Sequence, residues 1–434
     1  MTSGITMSMY EPLEKGHDTF RLIQIHPTCD SEKEVEVDLV TVRLGDNPIY
    51  EALSYVWGPP PNDRPVIVGG GEVRVRCSLD EFLRVVRHET KARLVYADAI
   101  CINQDDDREK ECQVQMMGSI FQSAKAVLSY LGPGDADTDA LLRASAKVSP
   151  EDYIITKKDN SEGERGHWKE GIFDETELEI FKPAMLHLVN HEYWKRAWII
   201  QECLMAQEVY LYCGRTCTSW DEFLNMYMLL INKEPKPRVY TWGYVKEEWS
   251  SITRFDHVSG QRARRDKFPC HLADIVTYFN SAESVDPRDM VYAFLGLIKE
   301  SHPSHPRRLL ADYTISPTDL YFLAGHAYIF SPESGRPHRV LFGLKGMLHL
   351  TTDDLLHAVC ELIDPDELVS PVDWIVGNLT DEVKRERKYR QKPRPKNTPY
   401  MECFEKDFTT LTTLVRDKNA QGGNKDSRFR IATN

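Results

Sequence analysis

Short apolar runs alternate with amphipathic stretches along residues 20–214, a pattern typical of β-strands that are joined by helices. The predicted strands are residues 52–57, a hairpin formed by 66–68 and 73–76, and residues 93–102, 126–131 and 209–213. Three glycines at 69–71 separate the hairpin strands and predict a turn, because no helix with a Lys-Ser/Thr start follows them as it does in a phosphate-binding loop. The pattern predicts an α/β fold with a mainly parallel sheet flanked by helices.

Three helices are predicted between these strands. A capping box at residues 78–81 predicts the start of the first helix, whose apolar face carries Leu79, Phe82, Leu83 and Val86. Aspartates at 105–107 suit the positive end of the second helix, whose apolar face carries Val114, Met117 and Phe121. The third helix is indicated by Phe181, Met185, Leu188 and Val189.

The chain is predicted to have four parts. Residues 149–171 are polar and rich in charge, which predicts a long surface insertion within the α/β part. Beyond residue 215 the pattern is mostly helical, and Asp286 before Pro287 predicts a helix N-cap. The expected parts are an N-terminal tail 1–19, an α/β half 20–215, a helical half 216–345 and a C-terminal extension 346–434 with a basic linker.

Composition excludes several classes of protein. The 434-residue chain is 41% apolar, which is enough for a buried core, and its net charge of -13 argues against a general nucleic-acid or anionic-membrane binder. Its ten cysteines are scattered, which fits reduced thiols in the cytoplasm. The polar start and the absence of any run of about 18 apolar residues predict neither secretion nor a membrane span. The basic run 384–396 is interpreted as a solvated linker or as a nuclear-import or phosphate-binding patch.

Glu202 is the leading candidate for chemistry. On a helix its neighbours three and four residues away are Trp198, Ile199, Met205 and Ala206, all of them apolar. An acid without a local cation reaches solvent, pairs with a distant arginine, or is kept partly dry as a catalytic group. The spacing leaves a structural role and a catalytic role both open.

Four blocks of sequence resemble the fungal heterokaryon incompatibility domain, called the HET domain. They are YEALSYVWG at residues 50–58, ADAICINQ at 97–104, RAWIIQE at 196–202 and DPRDMVYAFLG at 286–296. The resemblance covers about residues 20–321. It implies a role in fungal non-self recognition, in which incompatible partners trigger the death of a fused cell.

The HET domain is in turn distantly similar to the Toll/interleukin receptor (TIR) domain, which has a flavodoxin-like sheet. Enzymatic TIR domains cleave NAD at the nicotinamide–ribose bond, and their key acid is the glutamate of a Trp-x-x-x-Glu spacing. Trp198 and Glu202 have this spacing after the third predicted parallel strand. The resemblance therefore implies an NAD glycohydrolase with Glu202 as the catalytic acid. The long insertion and residues 102–104, in place of a glycine-containing loop, depart from TIR enzymes.

The remaining site candidates follow from that resemblance and from the sheet edge where ligands bind in open α/β folds. Tyr55 and Trp57 would supply a stacking surface, and Asp98 lies near the acid of the second TIR strand. Backbone N–H groups near Gly58, Asn103 and Gln104 would receive a pyrophosphate, although the neighbouring aspartates would repel it. No cofactor and no metal site are predicted, and NAD is the candidate substrate.

Other constellations favour structural roles. Cys101 lies in an apolar run, which favours a buried, inert thiol over a nucleophile. His187 and His191 have zinc-ligand spacing without a third ligand. Asp98 is expected either to act in the site or to cap a loop or pair with Arg288.

Two alternatives to an enzyme follow from the resemblance. One is a non-catalytic module that signals by self-association, as adaptor-type TIR domains do, and the other is an inactive paralogue. The expected location is the cytoplasm, with the nucleus as the alternative through the basic run. The incompatibility partner is not predicted by the sequence.

Overall fold

The computed structural model describes residues 9–14, 18–58, 63–156, 165–230, 254–263, 275–276, 279, 282–298, 309–329, 337–351, 354–355 and 357–358. The chain divides into two compact units, Met1–Asp266 and Lys267–Asn434. The predicted basic linker at 384–396 lies outside the described residues. Within the described part of the chain, no helix has the length and apolar character that crossing a bilayer requires.

The first unit is built on a nine-stranded sheet and a separate two-stranded hairpin. The strands are β1 (Thr19–Ile25), β2 (Val35–Arg43), β3 (Glu51–Ser54), β4 (Asp63–Val68), β5 (Gly71–Arg76), β6 (Arg93–Tyr96), β7 (Ala126–Tyr130), β8 (Tyr153–Thr156), β9 (Arg165–Trp168), β10 (Val209–Cys213) and β11 (Thr216–Ser219). The large sheet has the order β11-β10-β7-β3-β6-β1-β2-β4-β5, and β8 pairs with β9.

The large sheet is mixed. Its block β10-β7-β3-β6 is parallel throughout. Read from β6 to β10 and numbered in chain order, these four strands have the order second, first, third, fourth, which is the strand order at the start of flavodoxin-like sheets. Beyond β6, however, β1 runs antiparallel to both β6 and β2, so the prediction of a mainly parallel sheet is too simple. Burial alternates along β2, where Val35 and Val37 are both buried. A period of two is typical of a strand, but the sequence-based prediction included neither β1 nor β2.

Helices cover the sheet of the first unit. They are α1 (Cys77–Val86), α2 (Asp98–Cys101), α3 (Asp107–Ser123), α4 (Ala136–Ser145), α5 (Glu175–Val189), α6 (Ala197–Met205), α7 (Trp220–Leu230) and α8 (Arg254–Arg262). The predicted apolar faces of α1, α3 and α5 are all buried. Asp106 caps α3 by accepting hydrogen bonds from the main chain of Arg108 and Glu109, as the acidic start predicts.

Two local predictions are corrected by the structure. Helix α1 begins at Cys77, and the Ser78 hydroxyl donates to the main-chain oxygen of Trp57 instead of forming the predicted capping box. The strand predicted over 93–102 ends at Tyr96. The Asp98 carboxylate accepts the N–H of Ala99, and α2 begins there as a single helical turn.

The polar stretch 149–171 carries its own hairpin, β8 with β9, in which Tyr153 packs edge-on against Trp168 at 5.4 Å between ring centroids. Residues 157–164 of the predicted insertion lie outside the described part.

The described elements of the second unit are helices, as predicted: α9 (Asp289–Tyr292), α10 (Pro317–Ile329) and α11 (Pro337–Met347). The predicted N-cap is displaced, because α9 begins at Asp289. Asp286 instead accepts hydrogen bonds from the main chain and the guanidinium of Arg288. That guanidinium also donates to the main-chain oxygens of Tyr313 and Ile315.

Candidate functional site

Helix α6 carries Glu202 into the core of the first unit. The helix is apolar on most of its surface, and Ile199, Ile200 and Cys203 are buried with it. Glu202 itself is only 3% exposed. A carboxylate in this position has lost most of its hydration, so its partners decide whether it is charged.

The carboxylate of Glu202 is incompletely satisfied. Its Oε2 atom is buried and has no hydrogen-bond partner among the residues that the structure describes. Burial raises the pKa of Glu202 to about 7, a nearby Arg196 opposes that rise, and the charge of Asp98 adds to it. Near neutral pH, Glu202 is therefore poised between its acid and its carboxylate form.

Asp98 follows β6 and holds two aromatic side chains. Its Oδ1 accepts the Tyr55 hydroxyl at 3.0 Å, and its Oδ2 accepts the indole N–H of Trp57 at 3.2 Å. Oδ1 also accepts the main-chain N–H of Ala99 at 2.9 Å. The pKa of Asp98 is raised by burial, and Arg196 opposes the shift.

Arg196 supplies the positive charge of the cluster. It precedes α6 in an extended conformation, and its guanidinium donates to the main-chain oxygen of Tyr55. Its charge favours the ionised forms of Asp98 and Glu202. Among the residues that the structure describes, no Lys or Arg nitrogen lies within 4.0 Å of either carboxylate. Arg196 thus moderates the two acids without clamping them.

Tyr193 anchors the other side of the cluster. Its buried hydroxyl lies 2.6 Å from the Ser54 hydroxyl at the end of β3 and 2.8 Å from the Ser129 hydroxyl in β7. The sulfur of Cys203 on α6 lies 3.6 Å away. This network fixes α6 against the carboxyl ends of two neighbouring parallel strands, where ligands bind in α/β sheets.

A cleft of about 270 Å³ opens beside the cluster. Trp57 and Gly58, two predicted site residues, line it together with Ser78, Tyr130 and His191. Glu202 and Asp98 do not line this cleft. Trp57 therefore belongs both to the cleft wall and to the carboxylate cluster.

The structure brings only some predicted residues together. Tyr55, Trp57 and Asp98 are directly bonded, and the Gln104 side-chain amide donates to the main-chain oxygen of Asp98 at 3.1 Å. Trp198 lies partly exposed on α6. The N–H of Asn103 donates to Glu109 at 2.7 Å, so it is not free to receive a phosphate.

Sequence reasoning missed Arg196, Tyr193, Ser54 and Ser129. A search for charges three and four residues from Glu202 cannot find Arg196, which is six residues away and lies before the helix begins. The serines lie on buried strands, where a hydroxyl indicates an internal partner.

The contacts of the other candidate residues favour structural roles for Cys101 and the two histidines. Cys101 is buried, and burial raises the pKa of its thiol to about 12, which leaves it protonated. His187 and His191 lie with ring centroids 6.4 Å apart, and no cluster of three metal-ligating side chains occurs in the described part of the chain. The hydrogen bonds of Asp98 go to Tyr55, Trp57 and Ala99, which supports a role in the cluster.

Comparison with protein families matches residues 50–202 to the family described as Heterokaryon incompatibility protein (HET). These residues match the HET family. The matched region begins at the first signature block and ends at Glu202, so it spans the whole carboxylate cluster. The fourth predicted block, at 286–296, lies beyond it.

Among curated proteins, the chain is similar to "Heterokaryon incompatibility protein 6, OR allele" of Neurospora crassa. The two are 30% identical over 227 residues, which is 45% of this chain and 33% of that protein. The chain thus spans about a third of the relative's length. No solved structure matches the chain.

Proposed function

We propose that this chain acts in fungal non-self recognition by triggering a death response when incompatible cells fuse. The HET match over residues 50–202 and the Neurospora relative support this role. The second-first-third-fourth order of the parallel strands supports a TIR-like arrangement of the α/β part.

The proposed activity is hydrolysis of NAD at the nicotinamide–ribose bond, with Glu202 as the catalytic acid side chain. The observation on which the proposal rests is the buried Oε2 atom of Glu202, which has no hydrogen-bond partner in the described part of the chain. The atom lies on a side chain held beside the carboxyl ends of β3 and β7 through the Tyr193 network. A buried acceptor left unpaired is costly, and a substrate hydroxyl or a developing positive charge would satisfy it.

The proposed reaction requires one well-placed carboxylate and no general acid. When the bond between ribose C1′ and the pyridinium nitrogen breaks, its electron pair goes to nitrogen, and nicotinamide leaves as a neutral molecule without a general acid. The ribose becomes oxocarbenium-like, and ionised Glu202 stabilises that charge. Water then adds to C1′ and loses a proton. Trp57, which lines the cleft, supplies aromatic surface, whereas Tyr55 is buried and is not available for the predicted stacking.

A second function is favoured by one observation. Glu202 is 3% exposed and does not line the neighbouring cleft, which is what a non-catalytic, self-associating module requires of an acid that only stabilises its fold. In that case the Asp98, Arg196 and Glu202 cluster is a structural centre.

Expression in a fungal host separates the two functions. Wild type is expected to stop growth and to deplete cellular NAD, and Glu202→Gln is expected to do neither at the same protein level. Asp38→Asn, which changes an exposed acid on β2, serves as the control and is expected to behave as wild type. Growth arrest by Glu202→Gln with NAD intact would favour the self-association module.

A further inference from the structure

His191 holds the turn of chain that leads into α6. Residues Glu192–Lys195 form a single 3₁₀ turn, and His191 is its N-cap. The Nδ1 atom of His191 accepts the main-chain N–H of Tyr193 at 3.1 Å. A main-chain N–H can only donate, so Nδ1 carries no proton and the proton of the neutral imidazole lies on Nε2. The cap therefore exists only while His191 is neutral.

The cap is the shortest of three hydrogen bonds that hold this turn together. The N–H of Trp194 donates to the main-chain oxygen of His191 at 3.2 Å, and the N–H of Arg196 donates to that of Tyr193 at 3.4 Å. Both are longer than the bond from Tyr193 to the imidazole. Because weak main-chain bonds leave a turn dependent on its capping side chain, loss of the cap loosens the start of the turn.

The turn carries the residue that supports the carboxylate cluster. The Tyr193 hydroxyl lies 2.6 Å from the Ser54 hydroxyl and 2.8 Å from the Ser129 hydroxyl. Arg196, which moderates the two acids of the cluster, follows the turn directly. The state of His191 therefore acts on both the anchor of α6 and the cation of the cluster.

The surroundings of His191 admit protons and oppose its positive charge. Its ring is half-buried in the wall of the cleft. Burial lowers the pKa of His191, nearby His187 lowers it further, and Glu192 opposes these two effects. Charged or titratable groups face it from several elements: His187 on α5, Glu192 in the turn, and Arg76 on β5, Glu81 on α1 and Tyr130 on β7 across the cleft. Asp135, at the start of α4, lies near His187.

We propose that His191 is an acid-sensitive switch: its neutral ring caps the turn Glu192–Lys195, and protonation of Nδ1 breaks the cap and loosens Tyr193 beneath α6. A protonated imidazole carries N–H groups on both nitrogens, so Nδ1 and the Tyr193 N–H would face each other as two donors. The ring must then turn away, and the main-chain N–H of Tyr193 loses its partner.

The direction of the pH effect follows from the lowered pKa of His191. The stability that the cap contributes is complete above the ordinary value of 6.5 and is lost as pH falls through the lower value of the folded chain. Glu202 has the opposite sign, because its pKa is raised. A local measurement at the turn is therefore more informative than the stability of the whole chain.

Hydrogen exchange at the Tyr193 amide tests the switch in the full chain. The chain is labelled with ¹⁵N-tyrosine, and Tyr193→Phe identifies the Tyr193 signal among the 19 tyrosines. Exchange rates are corrected for the intrinsic effect of pH. Protection of this amide is expected to fall roughly fivefold between pH 7.5 and pH 4.5, which is the effect of losing a helix cap. Constant protection in wild type overturns the switch.

Two variants separate His191 from its neighbours. In His191→Asn the side-chain oxygen accepts the Tyr193 N–H without titrating, so protection is expected to stay constant over this pH range. Glu202 still titrates in this variant, so the difference from wild type isolates His191. His187→Gln keeps the cap and is expected to keep the acid-induced loss, with its midpoint at higher pH because a neighbouring positive charge is gone.

An acid-induced loss in His191→Asn equal to that of wild type overturns the switch, and so does constant protection in His187→Gln. Neither result depends on NAD cleavage, so failure of the switch is distinguishable from failure of the proposed activity.

Discussion

Burial raises the pKa of Glu202 on α6, and the charge of Asp98 on α2 adds to that rise. Arg196 lies near both and lowers the pKa of each, but burial is the larger effect. Two acids held together in a protein interior oppose each other's ionisation. The pH dependence of stability and the proposed chemistry both depend on the ionisation of Glu202.

The first prediction concerns stability and pH. The pKa of Glu202 is raised from 4.5 to about 7, so between these pH values the folded chain keeps a proton that the unfolded chain has lost. The free energy of unfolding should therefore fall as pH rises through this window and change no further above it, by on the order of 3 kcal/mol from this group. Glu202→Gln removes the effect.

Urea denaturation of wild type and Glu202→Gln at pH 5 and pH 8 measures this change in the free energy of unfolding. At pH 8 the glutamine variant is expected to be more stable than wild type by about 1–3 kcal/mol, and at pH 5 the difference should be smaller. Equal dependence on pH in the two proteins would show that Glu202 ionises normally.

The second prediction concerns the Tyr193 network. Tyr193→Phe keeps the ring and removes the hydroxyl that contacts Ser54 and Ser129, which leaves both buried serines short of a partner. The expected loss of unfolding free energy is about 1–3 kcal/mol by chemical denaturation. Tyr210→Phe removes a hydroxyl bonded to Glu208 at the surface and should change stability by less than about 0.5 kcal/mol. Similar losses in the two variants would contradict this role for Tyr193.

The third prediction separates backbone strain from steric clash. Gly214 has a φ of 57°, and a Cβ added there would lie 2.9 Å from the main-chain nitrogen of Gly134. Gly171 has a φ of 78°, and a Cβ there would meet no atom within 4 Å.

Gly171→Ala should lower the free energy of unfolding by about 1–2 kcal/mol, because alanine is strained in the left-handed conformation. Gly214→Ala should lower it by roughly 1 kcal/mol or more beyond that, because the loops of Gly214 and Gly134 must also move apart. Thermal unfolding of the two alanine variants measures the difference. Equal melting temperatures would mean that the loops separate without cost.

Local patterns predicted the elements that local forces determine. The apolar face of α1, the acidic cap of α3 and the glycine turn between β4 and β5 follow from neighbours a few residues apart. The end of β6 was missed because the apolar pattern continues without a break from the strand into the single helical turn of α2.

The candidate site was predictable only in part, because some of its contacts depend on residues that no local pattern connects. Asp98, Tyr55 and Trp57 were selected through the motif blocks, and in the structure Asp98 accepts hydrogen bonds from both rings. The effect of Arg196 on Glu202 arises because the chain is extended before α6, which no helical spacing encodes. The burial of Glu202 depends on α6 packing against strands distant in sequence, so it is a property of the tertiary fold.

The most direct test of the account is nicotinamide release by the purified chain, concentrated or crowded to favour assembly and incubated with NAD. Wild type is expected to release nicotinamide, with a rate that rises with pH through about 7 as Glu202 ionises, and Glu202→Gln is expected to lose at least about a hundredfold. No release by wild type under any assembly condition would contradict the proposed hydrolysis, and release by Glu202→Gln at the wild-type rate would place the reaction elsewhere in the molecule.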